Sequence, residues 1–324
     1  MICEFRGASS WVILSAIEKS IKDKIEAVGT PLREWDININ RGVLTGYNEA
    51  FIIDTYKRNE ILSACTTDDE RQRTSDLIRP ILRGRDIKRF EYEWAELWLI
   101  ATFPAKHYNI EQYPAVKQYL LSFAKDELLN AGYDWIVKDH LADYCKQKLS
   151  QTGKFVEIKG KRITLGTSPE KARKLTNNKW FETQDSISYW DDFNKPKIVY
   201  PNMTKYMPFV WDTKQFLTNQ KCFIITGENT AFLTAFLNSS LFKYCFRDAF
   251  PELQGGTREL SKIFFDKIPV YEPDNKTEAH FRTLVEDIQQ EFTEEKAKHI
   301  DQLIFDLYNL TEKERLTIGY IEIR

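Results

Sequence analysis

The chain has 324 residues, 42% hydrophobic and 14% aromatic, enough to bury a sizeable core and long enough for one large domain or two. Its apolar stretches are short and interrupted by charge, which excludes a transmembrane helix. The opening Met1-Ile-Cys-Glu-Phe-Arg lacks a secretory leader, so a soluble, cytoplasmic protein is expected. The formal net charge of -2 hides a segregation: residues 79 to 89 carry +4, residues 154 to 179 carry +6 and residues 272 to 324 carry -6. Such a division suits one anionic partner and a face turned away from it, although a basic run is also an ordinary solvated surface.

In chain order, Ile13, Ile17, Ile21 and Ile25 fall at steps of four and predict a helix over 10 to 28, which Gly29 and Pro31 stop. Trp35, Ile37 and Ile39 alternate with polar residues in a strand from Glu34 to Asn40. Gly42, Gly46 and Asn48 suggest a tight loop, after which Phe51 to Ile53 continues as strand and a short helix follows Thr55. A strand is expected at Leu97 to Thr102, and Pro114 opens a helix through Leu129 with Val116, Leu120, Phe123 and Leu128 inward. Residues 130 to 178 are broken by Gly132, Gly153, Gly160, Gly166 and Pro169, leaving a possible helix from Lys138 to Leu149 and a hairpin from Phe155 to Leu165.

Strands resume at Lys197 to Tyr200, Phe209 to Trp211 and Cys222 to Thr226, followed by a helix from Thr230 to Phe246. Helical periodicity returns in Phe281, Leu284, Val285, Ile288 and Phe292, and again in Ile300, Leu303, Ile304 and Leu307. This stripe reads as core packing, or alternatively as a docking helix for a neighbouring domain. The fold class is α+β, mixed strands and helices with an N-terminal helix and a helical C-terminal tail. The expected division is 1–30 as a connecting helix, 31–275 as the main domain, with lobes at about 31–130 and 131–275, and 276–324 as the tail.

Cys3, Cys65, Cys145, Cys222 and Cys245 are odd in number and widely spaced, so reduced thiols are expected. His107, His140, His280 and His299 are also scattered, without metal-ligand spacing. No Gly-x-Gly turn and no Asn-Pro pair occur, so neither a cofactor turn nor an adenine-holding loop is expected. Asp274 with Glu294, Glu295 and Lys296 matches the loose spacing of a metal-dependent nuclease, a short and degenerate pattern, and Glu157 with Lys159 is a half-match. No catalytic residue, cofactor or metal is therefore assigned to this chain.

Four phrases occur in order: Gly42-Val-Leu-Thr-Gly-Tyr-Asn-Glu-Ala-Phe51, Arg79-Pro-Ile-Leu-Arg-Gly-Arg-Asp-Ile-Lys-Arg89, Lys179-Trp-Phe-Glu-Thr-Gln184 and Lys195-Pro-Lys-Ile-Val-Tyr-Pro201. With Leu237-Asn-Ser-Ser-Leu241 and His299 to Tyr308, they resemble the TaqI-like C-terminal specificity domains of type IIG restriction-modification enzymes. The resemblance implies sequence-specific recognition of double-stranded DNA for an adenine-specific methyltransferase, in cis or as a separate subunit. S-adenosylmethionine, with magnesium where cleavage is coupled, would belong to catalytic regions absent from this chain. A protein-interaction module that docks through its acidic tail is the alternative, with a cryptic nuclease third.

Within that resemblance, Arg83 and Arg85 flank Gly84 and suit phosphate or guanine, with Lys88 and Arg89 continuing the contact. Structural pairing of Arg85 and Asp86 is the competing reading. Lys161, Arg162, Arg173 and Lys174 are candidate phosphate contacts. Asn177, with Asn178 beside it, suits an adenine edge or an ordinary turn. Gln254, Thr257 and Arg258, around Gly255 and Gly256, suit groove readout or a plain hairpin turn, and Lys205 with Thr204 is a weaker pair of the same kind. Trp180 and Phe181 could stack on a displaced base but suit a core better.

Overall fold

The computed structural model describes residues 14–130, 156–158, 161–163, 178–179 and 181–321; side chains are described for 14–122, 178–179 and 181–321. At its centre lies an antiparallel sheet in the order Val210–Asp212, Lys197–Pro201, Cys222–Gly227, Ile37–Arg41. All five residues of Lys197–Pro201 are buried, because this sheet is covered on both faces. Side chains alternate with a period of two, so Val199, Val210 and Ile224 enter one core while Ile198, Tyr200, Trp211 and Ile225 enter a second.

The first core also holds a second sheet, ordered Leu217–Thr218, Ile78–Leu82, Leu97–Ile100, Ile52–Asp54, in which only the first pair is parallel. Helices Thr55–Ser63, Asp68–Leu77 and Pro114–Asn130 pack beside it through Ile61, Leu77, Val116 and Leu120. The second core collects Ile21 and Ile25 of helix Ala16–Val28 with Phe232, Phe236, Phe281, Val285, Ile300 and Ile304. Each core draws on residues from both halves of the chain, and the central sheet is their common wall.

Most expected elements form, with instructive departures. Residues Asn48–Phe51 make a helical turn before the strand Ile52–Asp54, where a strand from Phe51 was expected; Thr45 donates to Asn48 Oδ1 at 2.8 Å ahead of the turn. Helix Asp68–Leu77 was not foreseen, because it buries only Glu70, Thr74 and Leu77 and so has almost no apolar stripe. The helix expected over 230 to 246 is two helices, Thr230–Asn238 and Ser240–Phe246, parted at Ser239 in extended backbone. Ser239 caps the second helix by accepting from Phe242 N at 3.1 Å, a role that serine fills better than a helix interior. Strands Val156–Ile158 and Lys161–Ile163 pair antiparallel as the expected hairpin, whereas the possible helix at 138 to 149 lies outside the described residues.

The apolar stripes of the tail face inward, in helices Asn275–Gln290 and Glu294–Leu307, so core packing accounts for them. Helix Glu312–Ile318 then returns to the first helix, where Lys24 pairs with Glu314 at 2.7 Å and Ser20 donates to the same carboxylate. Gly29–Pro31 pairs with Pro269–Tyr271 and closes the same seam.

Candidate functional site

Strand Ile78–Leu82 delivers the chain into a turn over Gly84–Asp86. Asp86 is buried and accepts from Arg83 N at 2.8 Å and from the Arg83 guanidinium at 2.7 to 3.2 Å. The structural pair of this loop is therefore Arg83 with Asp86, not Arg85 with Asp86. Arg85 is exposed and has no carboxylate partner among the described residues. Lys88 is half-buried, 3.9 Å from Glu93.

Arg89 departs from expectation. Only 4% exposed, it donates to Asn238 O and Ile321 O at 3.0 Å each and lies 3.8 Å from Asp301. Its donors tie the loop to the second core, so it does not continue a surface contact.

Arg83, Arg85 and Lys88 line a cleft of about 640 Å³ whose opposite wall carries Thr204, Tyr206, Asn219 and Lys221. Four cations thus border one cleft, and among the described residues no Asp or Glu lines it. Gly84 lets the walls approach, since a Cβ there would sit 3.2 Å from Lys221 O and 3.3 Å from Pro201 Cβ. Lys221 and Asn219 escaped sequence reading. Their signal was a polar Asn-Gln-Lys turn between two apolar strands; Asn219 Oδ1 holds it by accepting from Lys221 N at 3.1 Å.

Beside the cleft stands a ridge at Met203 to Tyr206, with Met203, Lys205 and Tyr206 exposed. Thr204 Oγ1 accepts from Tyr206 N and Met207 N, which shapes the turn. The ridge is joined to the second candidate loop by pairing of Thr204 with Arg258 and Met203 with Glu259. In that loop Gly255 and Gly256 both have φ 77°, and a Cβ on either would meet nothing within 4 Å, so backbone conformation alone asks for glycine. Leu253 N donates to Thr257 O at 2.6 Å, leaving Gln254 exposed and Thr257 half-buried.

Arg258 also departs from expectation, being 8% exposed, with its guanidinium on Phe250 O at 3.0 Å, Asp248 at 2.9 Å and Glu252 at 2.7 Å. It braces the loop from beneath. The structure therefore gathers Arg83, Arg85, Lys88, Lys205, Gln254 and Thr257 around one ridge.

Lys161 and Arg162 lie in the hairpin, whose side chains are not described; Arg173, Lys174, Asn177 and Trp180 fall outside the described residues. Asn178 donates to Thr183 O and Gln184 O, and Phe181 is buried in the first core.

The model of the TaqI-like C-terminal specificity domain matches residues 79–270, more than half of the chain and the span that includes both cleft and loop. The chain belongs to the TaqI-like C-terminal specificity domain family. Among solved structures it is similar to the type IIG restriction endonuclease BpuSI, at 13% identity and a TM-score of 0.53 over 91% of this chain and 33% of that one. The type IIL restriction-modification enzyme MmeI, solved in complex with DNA, follows at 9% identity and a TM-score of 0.47 over 89% of this chain and 35% of that one. The TaqI-like chain thus spans about a third of the length of either. No curated protein matches it. As a specificity domain it is a target-recognition module of restriction-modification type.

Proposed function

We propose that this domain recognises a short duplex DNA sequence on behalf of an adenine-specific methyltransferase, in the same polypeptide or in a separate subunit, acting in the cytoplasm. The observation that carries the reading is the cleft bordered by Arg83, Arg85, Lys88 and Lys221, beside a projecting glycine loop that offers Gln254. Cations bordering a cleft neutralise backbone phosphates and fix register, while a slender loop can approach base edges. S-adenosylmethionine, and magnesium if cleavage is coupled, would be held by those other catalytic regions, where the methyl transfer takes place.

The acidic tail offers less to a partner-docking reading, because its apolar stripes lie in the second core. A nuclease centre fares no better. Asp274 caps the start of helix Asn275–Gln290, and Glu294 to Lys296 lie past its far end, about 24 Å of helix away.

Selection from a randomised duplex pool tests the reading: one short enriched motif is the expected result. In direct titrations, the slope of log K against log salt should fall by about 1 in Arg85→Ala, one phosphate contact's share. Salt-independent retention, or none at all, would reject DNA recognition by this domain.

A further inference from the structure

On the far side of the Tyr206 ridge lies a second cavity, of about 420 Å³, that no sequence motif announced. Lys205 and Arg247 stand exposed at its edge, and Lys243, only 6% exposed, forms part of its wall. The Lys243 ammonium is buried without any hydrogen-bond acceptor. That is an expensive arrangement, because a buried charge needs a partner to replace its water. Among the described residues, the nearby charges do not provide one. Asp301 is committed to Ser240, accepting from its N at 2.7 Å and its Oγ at 2.6 Å, and Arg89 adds a like charge. Asp248, the acid at the edge, is paired with Arg258 at 2.9 Å.

We propose that this cavity is a phosphate-binding site in which the Lys243 ammonium, with Lys205 and Arg247 at the entrance, receives an anionic phosphate group. The proposal deepens the DNA-recognition reading: Tyr206 borders both cavities, so one strand crossing the ridge would place a backbone phosphate at each. A free phosphate ion offers the same chemistry and is the other source.

Protonation follows from the burial. Desolvation, with help from Arg89 and against Asp301, brings the Lys243 pKa down to about 7. Of the other groups lining the cavity, Lys205 and Arg247 are cations, Asp248 is paired with Arg258, and burial raises the Tyr244 phenol above its ordinary value. An anion favours the charged form, so binding takes up a proton, and affinity is fullest below pH 7 and falls above it. At pH 8 about a tenth of free Lys243 is protonated, and the site should bind about tenfold more weakly than at pH 6.

The test titrates the full chain, its Lys243→Met variant and a Lys205→Ala/Arg247→Ala variant with a fluorescent duplex at pH 6 and pH 8, and separately with inorganic phosphate followed by ³¹P line broadening. The rim variant keeps the interior intact should Lys243→Met fail to fold. Both the proposal and the DNA reading stand if the parent's duplex affinity drops about tenfold between the two pH values, Lys243→Met flattens that drop and the rim variant weakens binding. Lysine-dependent phosphate binding without duplex binding keeps the site but rejects the DNA reading. Duplex binding with the parent's pH dependence in Lys243→Met and the parent's affinity in the rim variant, and no phosphate binding, overturns the site alone. Absence of both kinds of binding overturns both.

Discussion

At the scale of single residues, the arginines of this domain sort by their carboxylates. Arg85 has none among the described residues and stays at the surface, Arg83 is paired with Asp86, and Arg258 engages both of its terminal nitrogens beneath its loop. Arg258→Met should therefore behave as a structural change. It leaves the Phe250 carbonyl without its donor and frees Asp248 and Glu252, at a cost of about 1 to 3 kcal/mol, measurable as a fall in Tm. Arg85→Ala should leave Tm unchanged while weakening DNA of any sequence. If Arg258→Met kept the parental Tm and changed only sequence preference, the bracing role would be wrong.

At the scale of elements, two short segments position the chemistry. The polar knot Asn238-Ser-Ser240 breaks a helix and makes contacts of its own: the Asn238 side-chain amide bonds both the N–H and C=O of Phe209, while the N–H and hydroxyl of Ser240 hold Asp301. Arg89 docks on the Asn238 carbonyl, so the knot anchors the end of the cationic loop to the second core. The glycine loop works differently, through conformation. Replacing Gly255 or Gly256 by Ala forces an L residue into left-handed backbone at about 1 to 2 kcal/mol, without any steric clash. Each variant should therefore fold, and its motif in a selection experiment should be blurred or altered; an unchanged motif in both would remove this loop from readout.

At the scale of the whole molecule, the two cores share one sheet, and the ends of the described chain are latched by Lys24, Ser20 and Glu314. Burial alone would raise the Glu314 pKa, but hydrogen bonds from Lys24, Ser20 and Thr311 hold it at about 2. A carboxyl whose folded pKa lies below its ordinary value of 4.5 contributes fully above pH 4.5, and the contribution fades as pH falls towards about 2. Acid unfolding followed by tryptophan fluorescence should show this loss in the parent. Glu314→Gln should be less stable at neutral pH and lose less on acidification; equal acid sensitivity would place the latch elsewhere.

Much of this architecture was legible in the sequence, because periodicity is a local signal. Ile21 and Ile25 at helical spacing, the alternation through Trp35, Ile37 and Ile39, and the ordered phrases from Gly42 to Pro201 sufficed for the α+β class and the family. The glycines at 255 and 256 marked their loop for the same reason. Tertiary structure alone decided which cations face outward. Arg85 and Arg89 are four residues apart in one basic run, yet Arg89 meets partners at 238, 301 and 321, and Lys221 reaches the cleft from a turn more than a hundred residues away. A side chain's charge is written in the sequence, but whether that charge is spent on a buried partner or left for a ligand depends on contacts that only folding brings together.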